Sequence, residues 1–276
     1  MDRADRFDGK VIAPVASCGI AFMAKASVPG RAKTRLVPPL TFEEAAALNT
    51  AFLQDVADNV LLAARDAAPQ TGIVGYAAYG PPSSEGFFRR TLPAAIGLID
   101  AWLPTFGDCL FHAIQEILAR GHGSAVVLNS DSPTLPTSLL NETAEILARP
   151  GDRAVLGPSS DGGYYLLGLK AAHRRMFESI AWSTETVAEQ TLERAREIKL
   201  DVHVLPVWYD VDDIECLRRL DAEICGEELP GGLEALRPHQ ARQTAALMRK
   251  LRRDNEFSRR VDGFAHKEKL HASATV

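Results

Sequence analysis

Ser124-Ala-Val-Val-Leu-Asn-Ser-Asp-Ser-Pro-Thr-Leu-Pro136 is the stretch on which the reading of this chain turns. Ser124–Asn129, with Val126, Val127 and Leu128 consecutive, is apolar at its centre without alternation and too short for a helix, so it reads as a buried strand. Asp131, Pro133 and Pro136 close it. The same grammar recurs upstream, where Gly19–Ala24 is a buried strand ending at Lys25. Between the two, Thr41-x-x-Glu44 is a capping box that opens a helix to about Arg65, with apolar residues at Ala45, Leu48, Phe52, Val56 and Val60. Ile73–Tyr79 is a further strand, Ile96–Asp100 a short one, and Asp108 opens a helix ending near Gly121. Downstream come a helix over about Thr137–Arg149, strands at Ala154–Gly157 and Tyr164–Leu169, a helix capped by Ser183 and running to about Lys199, a strand at Val202–Pro206, and a helix from Asp213 to Cys225. Strands separated by helices of this length predict an α/β domain, a mostly parallel sheet with helices on both faces.

Composition excludes several classes. The chain has 276 residues, 46% of them hydrophobic and 24% charged, with neither a repeat nor a biased segment, so it is neither fibrous nor disordered. No apolar run is long enough to cross a membrane, so no stable membrane insertion is expected. Cys18, Cys109, Cys216 and Cys225 form no C-x-x-C pair and no zinc spacing, and read as free thiols in a reducing compartment. Val15-Ala-Ser-Cys18 has the shape of a lipoprotein cleavage box, but Asp2, Asp5 and Asp8 spoil the positive region that should precede it, so a cytoplasmic location is expected. From Arg237 onward, ten Lys/Arg stand against four Asp/Glu, a net of +6, which leaves −11 for residues 1–236 within the chain's −5. A body that acidic is not expected to bind nucleic acid. Pro230-Gly-Gly232 marks a break, giving an N-terminal extension over 1–18, a core domain over 19–232 and a basic helical tail over 233–276. The tail offers no strand and is expected to be dispensable for folding of the core.

In open α/β sheets, ligands bind beyond the carboxyl ends of the strands, and the unusual segments fall there. Lys25, Arg31, Lys33 and Arg35 crowd the loop after the first strand, and Gly30 lets its backbone turn. Cations with free backbone N–H groups suit a phosphate chain, or the loop is simply a solvated basic turn. Asp131 closes the most apolar strand and is placed either to hold Mg²⁺ or Mn²⁺ against phosphates or to make a turn. Trp208-Tyr-Asp-Val-Asp-Asp213 puts three acids after a strand. Asp213 reads as a helix cap, and of Asp210 and Asp212 one is expected to face the crevice and the other to face out. In Gly157-Pro-Ser-Ser-Asp-Gly-Gly-Tyr-Tyr165, Asp161 either binds an acceptor hydroxyl, acts as a base, or makes a plain turn, and Gly162-Gly163 clears room for a close approach.

In order, Phe22-Met-Ala-Lys25 with Pro29-Gly-Arg-Ala-Lys-Thr-Arg-Leu36, Asn129-Ser-Asp-Ser-Pro-Thr-Leu-Pro136, Gly157-Pro-Ser-Ser-Asp-Gly-Gly-Tyr-Tyr-Leu-Leu-Gly168, Ile180-Ala-Trp-Ser-Thr184 and Trp208-Tyr-Asp-Val-Asp212 resemble the bacterial DUF2064 family of the GT-A, or nucleotide-diphospho-sugar transferase, superfamily. The likeness spans about residues 19–222. It implies a GT-A-like single domain with a Rossmann-like sheet, and a divalent ion, Mg²⁺ or Mn²⁺, on Asp131 and Asp212. It also implies nucleotide phosphates on Gly30, Lys33, Thr34 and Arg35 with Asp108 on the nucleotide side, and a substrate pocket at Gly162, Gly163, Trp182, Ser183 and Thr184. Lys25 and Asp161 are the catalytic candidates. The acidic motif departs from the family in having Asn129 where a second acid is usual, and Gly107-Asp-Cys-Leu110 replaces the relatives' Gly-Asp-Leu-Gly. The partners implied are a nucleotide or nucleotide-sugar donor and a small-molecule acceptor. The reaction expected is glycosyl transfer from an NDP-sugar. Nucleotidyl transfer, with Lys25, Lys33 and Arg35 neutralising a leaving pyrophosphate, is the alternative, and a non-catalytic nucleotide-binding protein is a third.

Overall fold

The computed structural model describes residues 17–68, 71–226 and 236–263. Most of the 1–18 extension and the Pro230-Gly-Gly232 break lie outside them. The strands are β1 (Cys18–Lys25), β2 (Ile73–Gly80), β3 (Gly97–Asp100), β4 (Ser124–Leu128), β5 (Ala154–Pro158), β6 (Tyr164–Leu169) and β7 (Val202–Val204). They form a seven-stranded sheet in the order β3-β2-β1-β4-β6-β5-β7. β1 pairs in parallel with β2 and β4, β2 with β3, and β5 with β7, whereas β6 runs antiparallel to both of its neighbours. The carboxyl ends of all the other strands therefore share one edge of the sheet. The expectation of a mostly parallel α/β sheet holds.

The helices are α1 (Phe42–Asp66), α2 (Glu85–Thr91), α3 (Phe106–Ala119), α4 (Thr137–Ala148), α5 (Val187–Glu197), α6 (Ile214–Ile224) and α7 (Arg242–Arg252). β1 is buried on both faces: Ile20, Phe22 and Ala24 join α1, α4 and α6 in one core, while Ala21 joins α3 and α5 in the other. α1 begins at the expected capping box, with the Thr41 side chain accepting from Glu44 N–H and the Glu44 carboxylate from Thr41 N–H. Asp213 caps α6 as expected, accepting from Cys216 N–H at 2.8 Å. Two helix starts differ from expectation. Thr105, not Asp108, caps α3. Ser183 caps nothing: it sits at φ 66° in a turn, and α5 starts later, at Val187. All four cysteines are free. No helix among the described residues is long and apolar enough to cross a membrane.

The C-terminal region departs most from the sequence reading. α7 lies on α1, and a second helical segment over 255–263 follows it. Met248, Phe257 and Val261 are buried in the main core. Ala241, before α7, has no side-chain cap to offer, and the cap comes instead from α1. The fully buried Asp55 carboxylate accepts from Gln243 N–H at 2.9 Å and Thr244 N–H at 2.7 Å. Arg260 reaches Pro39 O at 2.7 Å and pairs with Glu44, the acid of the α1 capping box. A helix with a basic outer face reads from sequence as an independent tail, yet its apolar stripe and this remote cap fasten it to the domain.

Removing this packing should be costly. Phe257→Ala leaves a cavity where a fully buried ring stood, and should lower stability in urea by about 3–5 kcal/mol. A chain ending at residue 236 should lose cooperative melting, and an unchanged midpoint for either protein would show that the C-terminal helices are not part of the core.

Candidate active site

A crevice of about 770 Å³ opens at the carboxyl ends of β1–β4. That is within the range of small-molecule sites, roughly 300–1,000 Å³. Its first wall is the loop after β1. Asn49 on α1 donates to Lys25 O at 3.1 Å and to Ser27 Oγ at 2.8 Å, which fixes the start of the loop. Gly30 turns it at φ 75°, and buried Ala32 and Leu36 anchor it. Lys25, Arg31, Lys33, Thr34 and Arg35 line the crevice. Gly30 does not, so its part is to shape the loop.

Lys33 is the exception among these cations. It sits at φ 49°, a left-handed conformation uncommon for a side-chain-bearing residue. Its side chain is 5% exposed, with Nζ 2.8 Å from Asp131 Oδ1 and 2.9 Å from Asp212 Oδ1. Nζ also donates to Val211 O at 2.7 Å and lies 5.3 Å from the centre of the Phe52 ring. Burial pulls its pKa down, but the charges of Asp131 and Asp212 outweigh that and leave it raised, so the ammonium is retained. Arg35, by contrast, is 71% exposed and only approaches Asp212, at 3.6 Å.

The acids come from three segments. Asp131 follows β4, and its carbonyl accepts from Val211 N–H at 2.9 Å. Ser132 Oγ donates to Tyr209 O at 2.8 Å, so the 208–212 segment is bound along the β4 loop. Trp208, Tyr209 and Val211 are buried, and Asp210 and Asp212 both line the crevice. This corrects the expectation that one of them faces out: residues two apart on an extended chain share a face. Asp210 accepts from Ser159 Oγ at 2.7 Å. Burial pushes its carboxyl up to about 6, helped by the like charges of Asp161, Asp212 and Asp131. Asp161 lies in the β5–β6 turn and accepts from Gly163 N–H at 2.9 Å.

Gly163 lines the crevice, but Gly162 does not. Gly162 has φ 88°, and a Cβ there would lie 1.9 Å from Glu185 O, so this glycine lets the 185 backbone cross the turn. Part of the crevice wall is aromatic. Trp182 packs edge-on against Phe106 at 5.3 Å, with Tyr164 at 6.4 Å. Trp102 lies so close over Gly80 that a Cβ there would be 2.1 Å from its ring. Trp102 and Phe106 are 55% and 52% exposed. Ser183 and Thr184 complete this side. Asn49, Trp102 and Phe106 were not singled out from sequence as site residues, and Asp210 only as one of a pair with Asp212. Trp102 and Asp210 carry a signal, a large or charged residue just past a strand, whereas Asn49 shows only as a polar residue on an apolar helix face.

Asp108 is not part of the crevice wall. Its backbone N–H is capped by Thr105, and its carboxylate accepts from the Thr105 hydroxyl at 2.6 Å and from Arg174 at 2.8 Å, which hold its pKa down. The structure thus places it at the start of α3, away from the crevice where it was expected. Among the described residues no three His, Cys, Asp or Glu side chains are grouped to cage a metal ion.

The family model described as an uncharacterized protein conserved in bacteria, DUF2064, matches residues 61–184, in accord with the resemblance carried by the motifs. That stretch includes Asp131 and Asp161 but not Lys33 or Asp212. A crystal structure from Desulfovibrio desulfuricans G20, of a protein provisionally assigned as a nucleotide-diphospho-sugar transferase, is 27% identical with a TM-score of 0.69, covering 85% of this chain and 94% of that one. The fold is thus of the nucleotide-diphospho-sugar transferase type. More distant are a cytidylyltransferase from Leptospira borgpetersenii serovar Hardjo-bovis, at 12% identity and a TM-score of 0.46 over 87% of this chain and 95% of that one, and a manganese complex of Rv0371c from Mycobacterium tuberculosis H37Rv, at 16% and 0.41 over 74% and 97%. Both stand too far from this chain for their ligands to inform it. No curated protein matches the sequence.

The raised pKa of Asp210 has a measurable consequence. Its folded value of about 6 lies above the ordinary 3.8, so its ionisation opposes folding as pH rises through that window. Asp210→Asn keeps an acceptor for Ser159 and removes the charge. In EDTA it should be more stable than wild type near pH 8 by on the order of 1–3 kcal/mol, and the gain should vanish near pH 3.5. A difference independent of pH would mean that Asp210 is not held in this environment.

Proposed function

We propose that the crevice binds a nucleotide-activated donor with a divalent ion and transfers its glycosyl group to a small acceptor. The observation that carries this reading is the pair of carboxylates, Asp131 and Asp212, brought to within 2.9 Å of one ammonium at the mouth of a basic loop. Mg²⁺ and Mn²⁺ are commonly held by one or two carboxylates when substrate phosphates supply the remaining oxygens. The residues fit such an ion: hard oxygen donors stand beside Asp210, whose pKa is raised in part by repulsion from Asp161, Asp212 and Asp131. Asp131 and Asp212 would hold the ion, which when bound screens the donor's diphosphate and the charge that develops on it as it leaves.

The other roles follow position. Arg35, Arg31, Thr34 and Lys25 hold the phosphates. Trp182, Ser183, Thr184 and Gly163 shape the transferred group's side of the crevice. Asp161 keeps one carboxylate oxygen for orienting the acceptor hydroxyl. Asp210, beside those acids and held by Ser159, is the carboxylate placed to take its proton. The acceptor oxygen bonds to the anomeric carbon, the bond from that carbon to the diphosphate breaks, the proton passes to Asp210, and the nucleoside diphosphate departs. One observation favours a second reading, nucleotidyl transfer. Lys25, Arg31 and Arg35 are exposed on the crevice wall, as a leaving pyrophosphate would require.

Ligand at a hundredfold excess over Kd stabilises the native state by about 2.7 kcal/mol, a melting shift of several degrees for a domain of this size. With Mg²⁺ or Mn²⁺ present, at least one NDP-sugar should give such a shift, and EDTA should abolish it. Asp131→Asn should fold normally and lose the shift. Response to NTPs alone, with pyrophosphate released on adding a phosphorylated small molecule, would favour nucleotidyl transfer. A flat response to both panels would remove the support for either.

A further inference from the structure

The Lys33 ammonium has three protons and three acceptors, the Oδ1 atoms of Asp131 and Asp212 and the carbonyl of Val211, all within 2.9 Å. It is the only one of the loop's four cations held this way: Lys25, Arg31 and Arg35 are exposed. A divalent ion taken up by Asp131 and Asp212 would draw on the oxygens to which Lys33 donates and would stand beside a like charge. Two carboxylates and one ammonium also leave a single net negative charge, which attracts a divalent cation far less than the bare pair would. We propose that Lys33 is an internal competitor for the metal pair, so that a divalent ion and the phosphates of the donor bind tightly only together. This rests on the reading of Asp131 and Asp212 as metal ligands.

The coupling follows from where Lys33 can go. Its flexible stem ends in a point charge that any cluster of oxygens can satisfy. The rest of its loop faces the crevice through Arg31, Thr34 and Arg35. Phosphate oxygens arriving there supply the acceptors that Lys33 gives up when it leaves the carboxylates. Metal alone must displace the ammonium without replacing its partners. Phosphate alone must draw Lys33 away from two acids that are then left unpaired. Each ligand removes the other's obstacle, and linkage makes the effect reciprocal. The site therefore selects a metal–phosphate complex over either component.

Titration of Mn²⁺ into the full chain, followed by the electron paramagnetic resonance signal of the free ion, tests this with inorganic pyrophosphate as the phosphate probe. Without pyrophosphate, Lys33→Met should bind Mn²⁺ more tightly than wild type by about tenfold or more, within the usual range of coupling between linked sites. Pyrophosphate should raise the affinity of wild type by a similar factor and that of the variant much less. If wild type binds Mn²⁺ and Lys33→Met binds it equally or more weakly, Lys33 is a strut and the inference is overturned while the metal pair stands. If neither protein takes up Mn²⁺ with or without pyrophosphate, or if Asp131→Asn binds it like wild type, the metal reading itself fails. Should the variant not fold, acetic anhydride labelling of wild type decides. Saturating Mn²⁺ without phosphate should raise acetylation of Lys33 relative to exposed Lys25, and an unchanged ratio overturns the proposal.

Discussion

A strand with neighbours on both edges and helices on both faces has nowhere to put a charge, and β1 is such a strand. Desolvating an ion without a partner costs several kcal/mol, so Ile20, Ala21 and Phe22 are fully buried and the first charge comes at Lys25, where the strand ends. The same constraint acts on β4, apolar from Ala125 to Leu128. Because these strands run parallel, the polar residues excluded from the sheet gather at one edge. β6 alone runs the other way, and its reversal brings the β5–β6 turn, with Asp161 and Gly163, to that same edge.

The crevice formed there has two unlike linings. Asp131, Asp161, Asp210 and Asp212 line it together with a loop of cations, and Trp102, Phe106 and Trp182 add aromatic rings. The charged side is held by side chains that span the chain: Lys33 bonds to Asp212, and Ser132 to the backbone of Tyr209. The segment 208–212, outside any helix or strand, is thereby bound to the β4 loop, with the side chains of Trp208, Tyr209 and Val211 buried.

Much of this was legible in the sequence because local chemistry dictates it. The Thr41–Glu44 capping box, the Asp213 cap and the buried strands each follow from a pattern of a few residues. So did the positions of Asp131 and Asp212, since an acid after an apolar strand has only the strand end to occupy. The misreadings have physical causes too. Asp210 and Asp212 share a face because the extended backbone repeats every two residues. Asp108 is taken up by Thr105 and by Arg174, a partner far away in sequence that no local pattern reveals. The C-terminal helices look independent because their outer face is so basic, while the carboxylate that caps α7 lies in α1 at Asp55. Long-range partners of this kind, Lys33 to Asp212 among them, were the part the sequence could not show.

Arg260 gives the C-terminal helices a bearing on the crevice that their distance from it conceals. Its guanidinium bonds to Pro39 O and to Glu44, at the junction where the basic loop passes into α1. During synthesis, residues 242–263 leave the ribosome after every strand of the sheet, and domains gain structure as they emerge. The sheet can therefore pair while Asp55 still lacks its partners and the far end of the basic loop is untied. That clamp on the loop is applied by residues made after the whole sheet, so a nascent chain carries its acids and cations before the loop that bears the cations is tied down at both ends.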